Sequence, residues 1–88
     1  MAKIDKPIRL SQHAIEQSKF RGATDTEIRD TIFTTEWNST KSDRWECRKN
    51  FEFNKEWNGK FYKIKQVRPI FTEKSDEIIV ITVYVYYF

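Results

Sequence analysis

The closing segment, residues 77–88, constrains the fold more than any other part of the chain. Apolar residues occupy both alternating sets of its positions. One set is Ile79, Ile81, Val83 and Val85; the other is Ile78, Val80, Thr82, Tyr84, Tyr86 and Phe88. A strand that is apolar on both faces normally lies inside a sheet rather than at its edge. The pattern predicts a central strand whose purely aliphatic set packs into the core and whose hydroxyl-bearing set looks the other way.

The N-terminal third predicts two short helices. Ser11 is a favourable N-cap, and Arg21-Gly22 supplies a basic last turn followed by a glycine suited to the C′ position, so the first helix is predicted over 12–20. The run Thr24-Asp25-Thr26-Glu27 reads as a capping box. Apolar residues then recur at helical spacing, which predicts a second helix over 25–34.

Beyond Trp37 the apolar period changes from helical to alternating, which predicts a sheet. Strands are expected over 44–53 and 60–68, joined by a hairpin whose turn contains Asn58-Gly59. Pro69 is expected to interrupt the second of these strands, with 70–71 continuing after a bulge. Residues 7–10 are consistent with a short edge strand, since proline is tolerated only at its start.

These elements predict an α+β protein with two short N-terminal helices packed on one face of a curved antiparallel sheet of three to five strands. At 88 residues the chain has room for one hydrophobic core, so residues 1–88 are expected to form a single domain. Its aromatic content of 16% supplies the large side chains that so small a core needs.

Several classes of function find little support in the composition. Cys47 and His13 are the single cysteine and histidine, so neither an internal disulfide nor a structural zinc site is expected. No glycine-rich phosphate loop and no long apolar run is present, which favours a cytoplasmic protein without cofactor, metal or membrane span. Cys47 is interpreted as a small strand residue.

The positive charge is concentrated in the middle of the chain. Residues 41–68 carry nine basic groups against four acidic ones, although the net charge of the whole chain is only +3. On the sheet face away from the helices, this segment is expected to place cations beside the hydroxyl-bearing set of the last strand. The cations are Arg44, Arg48, Lys63, Lys65 and Arg68, and the neighbours are Thr82, Tyr84 and Tyr86.

Such a basic face with interleaved aromatic rings suits RNA, because cations meet phosphates and rings stack on unpaired bases. The alternative is a solvated strand face whose charges keep the protein soluble. His13 has two readings as well. It falls in the first turn of the first helix, where a neutral imidazole beside a bound phosphate could act as a general base. The alternative, which composition favours, is a histidine whose ring simply packs beside the first turn.

Three motifs in order resemble a widespread prokaryotic family of unknown function. They are Leu10-Ser11-Gln12-His13-Ala14, then Arg21-Gly22-Ala23 followed by Glu27-Ile28, and finally Ile79-Val80-Ile81-Thr82-Val83-Tyr84. Members of that family open with Ser-x-His-Ala and close with a Val-Val-Thr-Val-Tyr-like strand. The stretches Arg44–Lys49, Trp57–Lys60 and Lys65–Pro69 are similar to a variant frequent in cyanobacteria. The resemblance covers nearly the whole chain.

That family is related to the RelE-like and barnase-like endoribonuclease fold, so the resemblance implies a toxin component of a toxin-antitoxin pair that cleaves RNA without a metal. His13, Arg68, Thr82 and Tyr84 are the positions that the resemblance assigns to catalysis. Arg44 and Lys65 would help Arg68 to clamp the scissile phosphate, and a small acidic antitoxin would be the protein partner.

Two other functions remain open at this stage. The same surface could hold RNA or an acidic protein without reacting, because one histidine and no strong general-acid pair are evident. Alternatively, the aromatic C-terminal end, Tyr84 to Phe88, could form a homodimer through the last strand.

Overall fold

The computed structural model describes residues 6–88 and confirms the α+β class, with two helices packed on one face of a sheet. In chain order the elements are β1 (Ile8–Leu10), α1 (Gln12–Arg21), α2 (Asp25–Thr34), β2 (Asn38–Ser39), β3 (Trp45–Glu46), β4 (Lys49–Trp57), β5 (Lys60–Glu73) and β6 (Ile78–Tyr87). The expectation of three to five antiparallel strands is corrected in two respects. The sheet has six strands, and β1 pairs with β6 in parallel.

Both helices begin where their N-caps predict, and α1 ends at Arg21, one residue later than predicted, before Gly22. The Ser11 hydroxyl accepts the Ala14 N–H, and Gly22 closes α1 in the left-handed conformation with φ of 89°. At α2 the Thr24 hydroxyl accepts the Glu27 N–H while the Glu27 carboxylate accepts the Thr24 N–H, which completes the capping box. Local hydrogen bonding therefore fixes these three boundaries.

The long strand β5 organises the sheet. One of its edges pairs with β6, and its other edge pairs first with β4 and then with β3. The strand order β1-β6-β5-β3-β2 places β6 inside the sheet, as its apolar composition predicts. The Asn58-Gly59 turn joins β4 to β5 with positive φ at both residues, as expected of a type I′ hairpin.

The strand break predicted at Pro69 occurs on the neighbouring strand instead. β5 runs without interruption from Lys60 to Glu73, and the segment predicted as one strand over 44–53 is divided into β3 and β4. Pro69 is a register partner of Val83 on β6, but it falls in the gap between the residues paired with β3 and those paired with β4. A proline has no N–H to offer a neighbour, so its position in this gap leaves no ladder bond unmade.

A bulge in β6 changes which of its residues face the helices. Ile70 pairs with Thr82 but Phe71 pairs with Val80, so Ile81 is an extra residue on β6. Side chains that alternate regularly along a strand change faces when one residue is added.

The aliphatic face predicted from Ile79 to Val85 consequently does not form. The core takes Ile78 and Val80 before the bulge and Val83 after it, all fully buried against α1, α2 and Phe71. Thr82 and Tyr84 still look away from the helices, because the bulge precedes them. No helix within residues 6–88 has the length and apolar character needed to cross a membrane.

Candidate nucleic-acid interface

The sheet face opposite α1 and α2, called here the open face, carries a basic groove. Its cavity volume is about 420 Å³, its floor comes from β5 and β6, and the loop between β2 and β3 forms one wall. The lining residues are Thr40, Lys41, Ser42, Arg44, Arg68, Ile70, Thr82 and Tyr84. Three of them are cations and none is a carboxylate. The groove thus joins four residues predicted from sequence to belong to one site: Arg44, Arg68, Thr82 and Tyr84.

Cross-strand pairing places the floor residues on the open face. Arg68 on β5 lies opposite Tyr84 on β6, and Ile70 lies opposite Thr82. Residues directly opposite each other in an antiparallel pair project from the same side of the sheet. The premise that the hydroxyl-bearing residues of the last strand lie beside an arginine of its neighbour is therefore confirmed for Arg68.

Arg68 is held in place by a carboxylate next to the groove. Its Nε donates to Glu46 Oε1 at 2.5 Å, and its Nη1 donates to Tyr86 Oη at 3.4 Å. Arg48 also donates to Glu46 Oε1, at 3.2 Å. The hydrogen bond from Arg68 is the main cause that lowers the pKa of Glu46, and the same bond raises the pKa of Arg68. Glu46 is thus an ionised positioning group and a weak proton acceptor.

The Tyr84 ring lies between two guanidinium groups. Arg68 Cζ is 5.5 Å from the ring centroid and Arg21 Cζ is 5.0 Å from it. Arg21 reaches this position from the last turn of α1, and its Nη1 donates to the Val83 carbonyl at 2.8 Å. It can do so because β1 pairs only with Ile78–Val80, which leaves the following part of that β6 edge to α1. Cation–π contacts on a partly exposed ring keep the ring orientation fixed.

Other groups in the groove are available for a ligand. Within residues 6–88, the side chains of Lys41, Arg44 and Thr82 form no hydrogen bond or ion pair with another protein group, and neither does the Tyr84 hydroxyl. The side chains of Lys41 and Arg44 are exposed. Two ammonium or guanidinium donors and two hydroxyls beside an anchored arginine can bind an anion such as a phosphodiester.

His13 stands outside this arrangement. It is exposed in the first turn of α1 and does not line the groove. It shares a helix face with Gln17 and Arg21, since these residues are four positions apart, and it lies about 12 Å from Arg21 along the helix axis. The sequence order Ser-x-His therefore fixes the N-cap but does not place the imidazole among the groove residues.

Lys65 lies on the opposite side of the sheet, so its predicted place on the basic face is wrong. It is 6% exposed, and its Nζ donates to the Gly22 carbonyl at 2.9 Å and pairs with Glu27 at 2.9 Å. Lys65 and Tyr87 are register partners, and both face the helices. Its parity is opposite to that of Arg68 because the two residues are three positions apart on one strand. Lys65 connects the end of α1, the start of α2 and the sheet.

The remaining predicted RNA-binding residues differ in their relation to the groove. Arg48 and Tyr86 contact the Glu46–Arg68 pair beside it. Lys63 is exposed on β5 and does not line the groove.

Sequence reasoning missed the roles of Arg21, Glu46 and the loop of Thr40–Ser42. Glu46 shares its alternation with Arg44 and Arg48, so strand parity alone could have placed it on the open face. Arg21 gave only the signal of a basic residue at a helix end. Its side chain can extend around the edge of β6 only because β1 is short. The residues around Arg21 do not indicate the length of β1.

The fold and the groove together define an α+β protein with a basic, tyrosine-containing site on an otherwise open sheet face. No family model, curated protein or solved structure matches the chain.

Proposed function

We propose that the protein binds single-stranded RNA in the groove and acts there as an endoribonuclease of the toxin type, without a metal ion. The observation that carries the proposal is the grouping of Arg44, Arg68, Thr82 and Tyr84 in one cavity that contains cations and no carboxylate. Lys41 and Arg44, which form no ion pair within residues 6–88, attract a polyanion, and the aromatic ring and hydroxyl beside them suit the ribose and base of an unpaired nucleotide.

In this proposal Arg44 and Lys41 bind the phosphate from the loop side, and Arg68 binds it from the floor. Arg44 and Lys41 can turn toward a ligand because neither is held by another described residue. Arg68 cannot turn, since Glu46 fixes its Nε. A fixed guanidinium suits the charge that develops on the phosphate oxygens in the transition state, because no reorganisation is required during the reaction.

The proposed reaction is a transesterification within the RNA strand. The ribose 2′-oxygen forms a bond to the adjacent phosphorus, the bond from phosphorus to the 5′-oxygen breaks, and the products carry a 2′,3′-cyclic phosphate and a 5′-hydroxyl. One proton leaves the 2′-hydroxyl and one is added to the leaving oxygen. Tyr84, whose hydroxyl lies in the groove, would move these protons, with Thr82 donating a hydrogen bond to a phosphate oxygen.

A second candidate is a module of the same fold that binds RNA without cleaving it. Two observations favour it: Glu46 is held ionised by two arginines, and His13 lies outside the groove-lining set. Neither a strong base nor a strong acid is then in direct contact with a phosphate bound at Arg68. The two candidates share the binding site and differ only in the chemical step.

Incubation of the purified protein with a 5′-labelled RNA separates these candidates. If the protein cleaves RNA, the fragments should end in a 2′,3′-cyclic phosphate. A DNA of the same sequence, which lacks the attacking 2′-hydroxyl, should bind but remain intact. Arg68→Ala should abolish cleavage, whereas Lys63→Ala, which removes an exposed cation outside the groove, should not affect it. Tight binding without fragments would select the non-cleaving module.

Growth of cells that express the protein provides an independent measurement. A toxin should arrest growth, and coexpression of a small acidic antitoxin encoded beside it should restore growth. The Arg68→Ala variant should be tolerated alone. Arrest that persists in the Arg68→Ala variant would show that toxicity does not come from the groove.

A further inference from the structure

A second recess lies at the end of α1, on the helix side of the sheet and around the edge of β6 from the groove. It has a cavity volume of about 340 Å³ and is called here the aromatic cleft. Its lining residues are Phe20, Arg21, Trp57, Asn58, Val85 and Tyr87. The last turn of α1, the β4–β5 hairpin and the end of β6 each contribute to it.

One wall of the aromatic cleft is rigidly built. Trp57 and Tyr87 stack with centroids 5.1 Å apart and ring planes 17° apart. The Tyr87 hydroxyl donates to the Arg21 carbonyl at 2.6 Å, and Gly22 allows both rings to approach the helix end closely. Rings fixed in this way can accept another flat ring without losing rotational freedom.

The aromatic cleft also carries groups that the fold itself does not use. Phe20 is 81% exposed, the largest exposure among the large hydrophobic residues that the structure describes. Asn58 is exposed in the hairpin turn, and its amide has no recorded hydrogen-bond partner within residues 6–88. An aromatic ring and an amide that both face solvent at one recess suit a planar ligand with hydrogen-bonding edges.

Arg21 connects the aromatic cleft to the groove. Its side chain lines the cleft, and its guanidinium lies 5.0 Å from the ring centroid of Tyr84, which lines the groove. A strand whose phosphate binds at Arg68 would pass Tyr84 and turn around the β6 edge at Arg21 before reaching the cleft. The positive charge of Arg21 at this crossing favours a second phosphate.

We propose that the aromatic cleft is a base-binding subsite, which takes an unpaired nucleobase of the same RNA strand whose phosphate lies in the groove. This inference rests on the proposed function and extends it by naming where the base binds. Phe20 and Trp57 provide stacking surfaces, Asn58 reads the edge of the base, and Arg21 binds the linking phosphate. A subsite of this kind would give the groove a preference for single-stranded over double-stranded RNA.

Fluorescence anisotropy with labelled oligonucleotides tests the subsite. The probes are a 12-nucleotide single-stranded RNA and a matched oligomer with the same ribose-phosphate backbone but no bases. Phe20→Ala should weaken binding of the RNA by roughly 5- to 100-fold, as expected for the loss of one base–aromatic stack. It should leave binding of the abasic oligomer and the salt dependence unchanged. Phe20→Trp should restore the affinity for RNA.

Phe33→Ala is the matched control, because Phe33 is 57% exposed on α2 and does not line the cleft. Equal RNA affinity of Phe20→Ala and the native protein, with salt-dependent binding that Arg44→Ala weakens, would overturn the subsite and leave the proposed function standing. Absence of RNA binding by the native protein would overturn both. A change in sedimentation rather than in RNA affinity would assign the cleft to self-association and would also overturn the subsite.

Discussion

Replacement of Gly22 by alanine should destabilise the protein far more than the same change at Gly59. Both glycines have positive φ, 89° and 82°, so alanine costs about 1–2 kcal/mol at either position through backbone strain alone. They differ in their surroundings. A Cβ at Gly22 would collide with the Tyr87 hydroxyl and would lie 2.8 Å from Trp57 Cη2, whereas a Cβ at Gly59 meets nothing within 4 Å.

The additional loss at Gly22 follows from the contacts that must break. Moving Tyr87 away removes its hydrogen bond to the Arg21 carbonyl, which contributes about 1 kcal/mol net, and disturbs its stack on Trp57, which contributes about 1 kcal/mol more. Gly22→Ala should therefore be less stable than Gly59→Ala by about 2 kcal/mol. In a domain of this size that difference lowers the Tm by roughly 8–16 °C.

Thermal unfolding followed by circular dichroism measures this difference directly. Each variant is compared with the native protein at the same pH and concentration, so that the backbone term cancels between the two glycines. Equal Tm values for the two variants would refute the reasoning, because the close approach of Tyr87 and Trp57 to the helix end would then contribute nothing.

Three further predictions concern buried groups. Lys65→Met should lower the free energy of unfolding by about 2 kcal/mol in urea denaturation because it leaves Glu27 unpaired, whereas Lys63→Met should have little effect. Burial raises the pKa of Tyr87 to about 12, so its stabilising effect should be complete below pH 10 and lost between pH 10 and 12; Tyr87→Phe should remove this alkaline loss from the Tm profile. Burial likewise raises the pKa of Cys47 to about 11, so iodoacetamide should label it only after unfolding, and rapid labelling of the folded protein would contradict its buried position.

The sequence predicted about half of the groove. Strand parity was sufficient for Arg68, Thr82 and Tyr84, because short-range alternation holds over these segments. The prediction for Lys65 was wrong because the basic residues of the middle segment were assigned to one face together, although Lys65 and Arg68 have opposite parity on β5. Strand parity also could not predict that the loop of residues 40–42 forms one wall of the groove. The position of a loop depends on where the strands at its two ends lie in the sheet.

The chain by itself determined the two helices and the position of β6 inside the sheet. Ser11, Gly22 and the Thr24–Glu27 box act through hydrogen bonds within a few residues, and the double-sided apolar character of β6 needs no partner to be recognised. Tertiary structure alone decided the bulge at Ile81, the division of β3 from β4 beside Pro69, and the reach of Arg21 to Tyr84. Each of these depends on how segments distant in the chain pair with β5 and β6. The energy of such pairing comes from contacts between both strands, so the sequence pattern of either strand alone does not reveal it.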